Sequence, residues 1–209
     1  MKKIKGAETV IIGGGTVDWD ISKVIRPSMT VICADHGYDH ALRCGIQPDM
    51  VIGDMDSVSA LVDCGEICRY PSRKDDTDGE LAVRTAVDEG AASLLLLGFT
   101  GTRMDHTIAD ILLLRYPAKK GIPAVLMDRT NEIYYLTDQL EIRGRAGEML
   151  SILPLNGDLE GITAEGLEYP LCGDTLYYGK SRGVSNVMTK PVCRITVKSG
   201  EGIVLKSRD

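Results

Sequence analysis

Four short segments of this 209-residue chain carry carboxylates at spacings suited to phosphate and metal chemistry. Asp35 follows the apolar run Thr30-Val31-Ile32-Cys33-Ala34, and Asp54 and Asp56 lie in Ile52-Gly53-Asp54-Met55-Asp56-Ser57. Lys74-Asp75-Asp76-Thr77-Asp78 opens a helical segment, and Gly98-Phe99-Thr100-Gly101-Thr102-Arg103-Met104-Asp105-His106 joins an apolar run to another helical segment. Carboxylates converging on one crevice repel, and their pKa values rise unless a cation sits among them. Asp54 and Asp56, with one residue between them in an extended turn, can point to the same side and share a metal. Hard oxygen ligands, few His and no ordered Cys suit Mg²⁺, which usually completes its shell with phosphate oxygens. The Gly- and Thr-rich turn Gly98–Thr102 can offer backbone N–H groups to an anion, with Lys74 and Arg103 adding positive charge.

Taken singly, each segment also has a structural reading. Asp76 or Thr77 can simply cap a helix, worth about 1 kcal/mol. Asp54 and Asp56 can form a turn, and Asp105 can cap the helix from Met104 onward. Gly13-Gly14-Gly15 lacks the third glycine of a dinucleotide fingerprint at its proper spacing and reads as a tight turn, and no Walker A sequence is present. His36 and His40, four apart, can share a helical face, where a surface role outweighs metal binding. The six cysteines follow no disulfide or zinc pattern and read as small reduced thiols.

Up to about Asp128, short apolar runs alternate with helical segments. Thr9–Ile12, Thr30–Ala34, Ser93–Leu97 and Ala124–Met127 are too short for helices and apolar on both faces, as strands buried in a parallel sheet should be. Asp78–Glu89 places Ala82, Val83, Ala86 and Val87 on one helical face, and Met104–Arg115 does the same with Ile108, Ile111 and Leu112. This alternation predicts an α/β domain over residues 1–130: a doubly wound, mostly parallel sheet with helices on both faces. The acidic segments then fall at the carboxyl ends of strands, where such sheets bind ligands. Residues 131–209 read instead as short strands between Gly-bearing turns, a small C-terminal β-sandwich.

Composition limits the partners. Lys and Arg number 24 against 30 Asp and Glu, a net charge of −6, and neither half of the chain is basic. Non-specific binding to nucleic acid or to an anionic membrane is therefore not expected. No apolar run is long enough to span a bilayer, no signal-peptide core follows Met1, and the chain reads as cytoplasmic.

In order and spacing these motifs resemble the thiamine pyrophosphokinase family. Ala34-Asp35-His36-Gly37 is similar to the family's Ala-Asp-Gly-Gly. The segment from Gly45-Ile46-Gln47-Pro48-Asp49 to Gly53-Asp54-Met55-Asp56-Ser57 resembles Gly-Ile-x-Pro-Asp-x-Ile-x-Gly-Asp-Phe-Asp-Ser. Lys74-Asp75-Asp76-Thr77-Asp78-Gly79-Glu80 resembles Lys-Asp-x-Thr-Asp-x-Glu, and Gly101-Thr102-Arg103-Met104-Asp105-His106 resembles Gly-Gly-Arg-x-Asp-His. Gly166-Leu167-Glu168-Tyr169-Pro170-Leu171 and Gly183-Val184-Ser185-Asn186 fall where the family has Gly-Leu-x-Tyr-Pro-Leu and Gly-Ile-Ser-Asn.

The resemblance implies Mg²⁺-dependent transfer of a pyrophosphoryl group from ATP to thiamine, giving thiamine diphosphate and AMP. It implies a nucleotide- and Mg²⁺-binding α/β domain, and a β-sandwich that binds thiamine and forms a homodimer with sites shared between chains. Asp54, Asp56 and Asp78 would hold the metal and carry the catalysis. Asp35, Lys74, Asp75, Thr77, Gly98, Thr100, Arg103 and Asp105 would shape the ATP pocket. Ser185 and Asn186, with Asp105 and His106, would meet thiamine. The chain departs from the family pattern at His36, at Thr102, and at Asp110, where Asn is common. Eukaryotic members stack thiamine on a Trp in the last strands, whereas Trp19 is the only Trp here. Other readings are a pyrophosphokinase acting on another hydroxymethyl heterocycle such as a pterin, a Mg²⁺-dependent phosphohydrolase, and a non-catalytic nucleotide-binding module.

Overall fold

A computed structural model of the chain describes residues 4–53, 65–69 and 75–208. They form two compact units, Met1–Arg129 and Thr130–Asp209. In the first unit the apolar runs are strands β1 (Glu8–Ile12), β2 (Thr30–Ala34), β3 (Met50–Gly53), β4 (Glu66–Arg69), β5 (Ser93–Leu97) and β6 (Ala124–Met127). The helices are α1 (Gly37–Arg43), α2 (Asp78–Asp88), α3 (Met104–Leu113) and α4 (Arg115–Lys119), with a 3-10 turn at Ile21–Val24. The strands pair in parallel in the order β6-β5-β1-β2-β3-β4.

Strands β2 and β3 are buried along their whole length, as strands covered on both faces must be. Val10, Ile12, Val31, Cys33 and Val51 pack with Tyr38 and Ala41 of α1. The alternate residues Ile11, Ile32 and Ile52 point to the opposite face. There α2, which contacts β1, β2 and β3, buries Ala82, Val83, Ala86 and Val87. From β1 the chain steps outward through β2 and β3 to β4, then crosses to the far side of β1 with β5 and β6. Strand order reverses between β1 and β5, the switch point beyond whose carboxyl ends such sheets bind ligands.

Helices α1 and α4 and the 3-10 turn were not assigned from the sequence, and two further elements differ from its reading for physical reasons. The edge strand β4 was not anticipated: it is four residues long, and Ile67 within it is 40% exposed, so no burial pattern announces it. Helix α3 ends at Leu113 rather than Arg115 and buries none of its residues. Its apolar stripe of Met104, Ile108 and Leu112 is exposed, because amphipathic spacing places side chains on one face without specifying what covers that face.

The second unit is antiparallel β throughout its described residues. Its strands are β7 (Asn131–Leu136), β8 (Gln139–Arg143), β9 (Met149–Pro154), β10 (Leu159–Glu165), β11 (Leu171–Leu176), β12 (Asn186–Val187), β13 (Val192–Thr196) and β14 (Gly202–Ser207). They run in the orders β12-β9-β14-β7 and β11-β10-β13-β8. Leu136, Leu150, Ile152 and Val204 from the first set share a core with Ile142, Ile162, Ala164, Leu176 and Ile195 from the second, so the sheets pack as a sandwich.

A buried charge pair links β7 to β14. Glu132 and Lys206 are cross-strand partners, each 7% exposed, with Nζ 2.8 Å from Oε1. Lys206 Nζ also donates to the Arg143 carbonyl at 2.9 Å, and the Tyr134 hydroxyl donates to Glu132 at 2.5 Å. Burial and the neighbouring Glu132 push the Tyr134 hydroxyl above its ordinary pKa, so it remains a donor. Removing Lys206 leaves Glu132 buried with the more exposed Arg208, 3.2 Å away, as its countercharge, a loss approaching about 3–5 kcal/mol. Lys206→Met is therefore expected to lower the urea midpoint strongly, and Lys206→Met/Glu132→Gln to recover much of that loss. Chemical-denaturation curves of the two variants beside the parent protein check this.

Candidate active site

Beyond the carboxyl ends of β1 and β5 lies a cleft of about 690 Å³. Gly13–Gly15, leaving β1, and Gly98–Thr102, leaving β5, form adjoining walls. Gly13 N–H donates to the Leu97 carbonyl at 2.8 Å, Gly15 N–H to Gly98 at 2.7 Å and Thr16 N–H to Thr100 at 2.7 Å. The ladder thus continues past the strands. A Cβ on Gly15 would lie 2.6 Å from the Gly98 carbonyl oxygen, so the approach demands glycine. The triple glycine is a tight turn, as its sequence suggests, and it is also a wall of the cleft.

His40 on α1 secures this wall, with Nε2 2.8 Å from the Gly15 carbonyl oxygen. Burial pushes the imidazole below the ordinary histidine pKa, and a neutral ring carrying its proton on Nε2 donates here. His40 is thus a structural brace, while His36, the residue preceding α1, is exposed and 3.4 Å from Asp39.

The predicted acidic residues divide between the cleft and its surroundings. Asp35 lines the cleft in a left-handed conformation with φ of 46°, and its N–H donates to the Ile52 carbonyl at 2.9 Å. Asp78, the first residue of α2, also lines it. A Cβ on Gly53 would lie 3.6 Å from Asp78 Oδ1, so this carboxylate sits against the end of β3, directly before Asp54 in the chain. Thr77 lines the cleft and caps α2, its hydroxyl accepting the Glu80 N–H at 3.1 Å. Asp76 is a cleft residue paired with Arg84 at 3.3 Å, and Asp75 is exposed and not part of the lining. Asp54, Asp56 and Lys74 lie outside the described residues. Among the described residues, no three His, Cys, Asp or Glu side chains gather closely enough to hold a metal ion. The donors that Asp35 and Asp78 contribute are carboxylate oxygens, and the described lining contains no cysteine. That chemistry fits a hard divalent cation.

On the opposite wall, the Thr100 hydroxyl donates to Asp128 at 3.3 Å. Gly98, Thr100, Arg103 and His106 line the cleft. Asp105 does not: it accepts from Arg103 Nη2 at 2.6 Å and from Nε at 3.2 Å. These bonds hold the Asp105 carboxyl down at about 2. One turn after His106, Asp110 faces the cleft, and burial pushes its carboxyl up to about 7. The sequence marks this residue only as a departure from a family pattern.

Ser185 and Asn186 lie in the second unit. Ser185 adopts a φ of 58°, with its N–H donating to Ser151 Oγ at 3.0 Å. Asn186 has both ends of its amide engaged: Oδ1 accepts from the N–H groups of Tyr169 at 3.0 Å and Val187 at 2.9 Å, and Nδ2 donates to the Tyr169 carbonyl at 2.7 Å. It therefore fixes the backbone at Tyr169, whose ring is exposed, as are Tyr177, Tyr178 and Val184.

Comparison with known proteins gives this arrangement its family. The model for "Thiamin pyrophosphokinase, catalytic domain" matches residues 21–126, and that for "Thiamin pyrophosphokinase, vitamin B1 binding domain" matches residues 137–204. The chain belongs to the thiamin pyrophosphokinase family. It is 27% identical to thiamine pyrophosphokinase of Bacillus subtilis over 186 residues, 85% of this chain and 87% of the relative. A crystal structure of the Bacillus subtilis enzyme superposes with a TM-score of 0.88 at 25% identity, covering 97% of this chain and 99% of that one. The thiamin pyrophosphokinase of Geobacillus thermodenitrificans gives 0.86 at 26% identity, covering 97% and 98%. Membership carries the enzyme class, ATP:thiamine diphosphotransferase, and an ATP-dependent reaction that generally needs a divalent metal. It favours this reading over the pterin-kinase, phosphohydrolase and binding-module alternatives. Among the described residues, no helix is long and apolar enough to cross a membrane.

In this family member the Asp110 proton links stability to pH. The native state keeps it up to about pH 7, whereas an ordinary aspartate loses it near 3.8. The contribution is therefore complete below 3.8 and is lost as pH rises towards about 7. Asp110→Asn is expected to melt at a higher temperature than the parent at about pH 8, the gap closing towards about pH 4. Thermal melts across that range check the sign.

Proposed function

We propose that this chain binds ATP in the β1–β5 cleft and transfers its pyrophosphoryl group to the hydroxyl of thiamine, releasing AMP. The observation that carries the assignment is the meeting of two glycine-bearing turns, Gly13–Gly15 and Gly98–Thr102, with Asp35 and Asp78 at the sheet's switch point. Glycine turns let polyphosphate approach the backbone closely. Helix α3 has no side-chain cap, so its first amides favour an anion. Arg103 stands at the same helix end, and phosphate competes with Asp105 for its guanidinium. Lys74, Asp75, Thr77, Gly98, Thr100 and Asp105 complete the ATP pocket in this reading.

We assign Asp54, Asp56 and Asp78 to a divalent cation, with Mg²⁺ as the ion suited to carboxylate oxygens. Bound there, it neutralises charge on the phosphate oxygens. The thiamine hydroxyl attacks the β-phosphorus, its proton passes to Asp56 or Asp78, and the bond to the α-phosphate breaks as AMP departs. Positioning and charge neutralisation supply most of the acceleration in such transfers. Asp105 and His106 of one chain, with Ser185 and the Asn186-braced segment of the other chain of a homodimer, are assigned to thiamine. A homodimer is supported by exposed apolar surfaces on both units, Met104, Ile108 and Leu112 on one and Tyr169, Tyr177, Tyr178 and Val184 on the other. A reducing, cytoplasmic setting suits the five described cysteines, all free thiols.

Purified protein with ATP, Mg²⁺ and thiamine is expected to yield AMP and thiamine diphosphate, resolved by chromatography. ADP as the nucleotide product, or AMP only with a different alcohol, would overturn the assignment. Asp78→Asn should reduce turnover by at least about a hundredfold while leaving the far-ultraviolet circular dichroism unchanged. Asn186→Ala should raise the KM for thiamine and leave that for ATP in place.

A further inference from the structure

The carboxyl of Asp110 occupies an unusual position in the cleft wall. It projects from α3 towards the start of α2, sharing the main cleft with Thr77, Asp78, Arg103 and Thr107. With Thr77 it also borders a neighbouring cavity of about 340 Å³, so it stands at the junction of two open spaces. Asp76 is answered by Arg84, and Asp105 outside the lining by Arg103, but no described group donates to Asp110 or forms an ion pair with it. Titratable and charged neighbours surround the junction. They are Asp78 and Glu80 on α2, Arg115 and Tyr116 on α4, Arg103 and His106 at the start of α3, and Asp35, His36 and Asp76 elsewhere on the walls. None of them perturbs Asp110: burial alone raises its pKa.

An ionised Asp110 would add a fourth carboxylate to a lining that already holds Asp35, Asp76 and Asp78, facing a polyanionic ligand. The acid form removes that repulsion and supplies an O–H donor that pairs with no described acceptor. We propose that Asp110 is a specificity-determining residue of the nucleotide site, its carboxylic acid donating a hydrogen bond to an oxygen of bound ATP, so that nucleotide affinity is linked to the proton it carries. The inference rests on the cleft being the ATP site.

Calorimetry with α,β-methylene ATP and saturating Mg²⁺ tests it, because the non-cleavable bond isolates binding from turnover. Between about pH 6 and pH 8.5 the parent protein should lose about fivefold in affinity as the donor ionises. Asp110→Asn keeps a neutral donor and should bind with nearly constant affinity across the range. Asp110→Ala should be equally flat but about fivefold weaker than the parent at the acid end. Any pH dependence of the ligand itself is common to all three proteins and cancels between them. An undiminished pH slope in Asp110→Asn, or parent-like affinity of Asp110→Ala at acid pH, would overturn the proposal. Failure of the parent itself to bind the analogue at any pH would overturn the nucleotide reading, and the assignment with it.

Discussion

The first unit depends on how closely two loops approach one another at the point where strand order reverses. The hydrogen bonds from Gly13, Gly15 and Thr16 to Leu97, Gly98 and Thr100 carry the β1–β5 ladder beyond the strands. A side chain on Gly15 would collide with the opposing backbone and force the turns apart. Because these turns are fixed, the cleft has one wall, Gly13–Gly15, without side chains and a second in which glycines alternate with Phe99, Thr100 and Thr102. His40 extends the constraint to α1, tying that helix to the turn from a half-buried position where a charged imidazole is disfavoured.

Around that fixed seam the polar residues separate into those committed to the protein and those left for a ligand. Thr77 spends its hydroxyl on the first turn of α2, Asp76 answers Arg84, and Asn186 has both ends of its amide bound to backbone. Such groups set geometry. Asp78, brought against the end of β3, and Asp110, half-buried and without a partner among the described residues, both line the cleft where a ligand would sit. Arg103 stands between the two classes: it is held by Asp105 and, at the end of an uncapped helix, is placed to exchange that partner for phosphate.

The second unit solves a different problem. A module of this size has a small core, and a sandwich that buries a Glu132–Lys206 pair gains definition of register along with the risk of a stranded charge. The pair is tolerated because Tyr134, Arg208 and the Arg143 carbonyl answer both charges. The exposed tyrosines lie on this unit, and the backbone of one of them, Tyr169, is held by Asn186.

The alternation of apolar runs with helical segments was enough to place β2, β5 and β6 at their observed ends and to put Ala82, Val83, Ala86 and Val87 in the core. Those elements are legible because continuous burial forces continuous apolarity. Motif spacing likewise identified Asp35, Thr77, Asp78, Gly98, Thr100, Arg103 and His106, which the fold gathers around one cleft. What the sequence could not express was contact. An edge strand such as β4 carries no burial signal, and the stripe on α3 looks the same whether covered or bare. The glycines after β1 show their second purpose only when the loop after β5 arrives beside them. Asp110 is an ordinary aspartate in the sequence. Only tertiary packing, by withdrawing part of its water without supplying a partner among the described residues, makes it an acid near neutral pH.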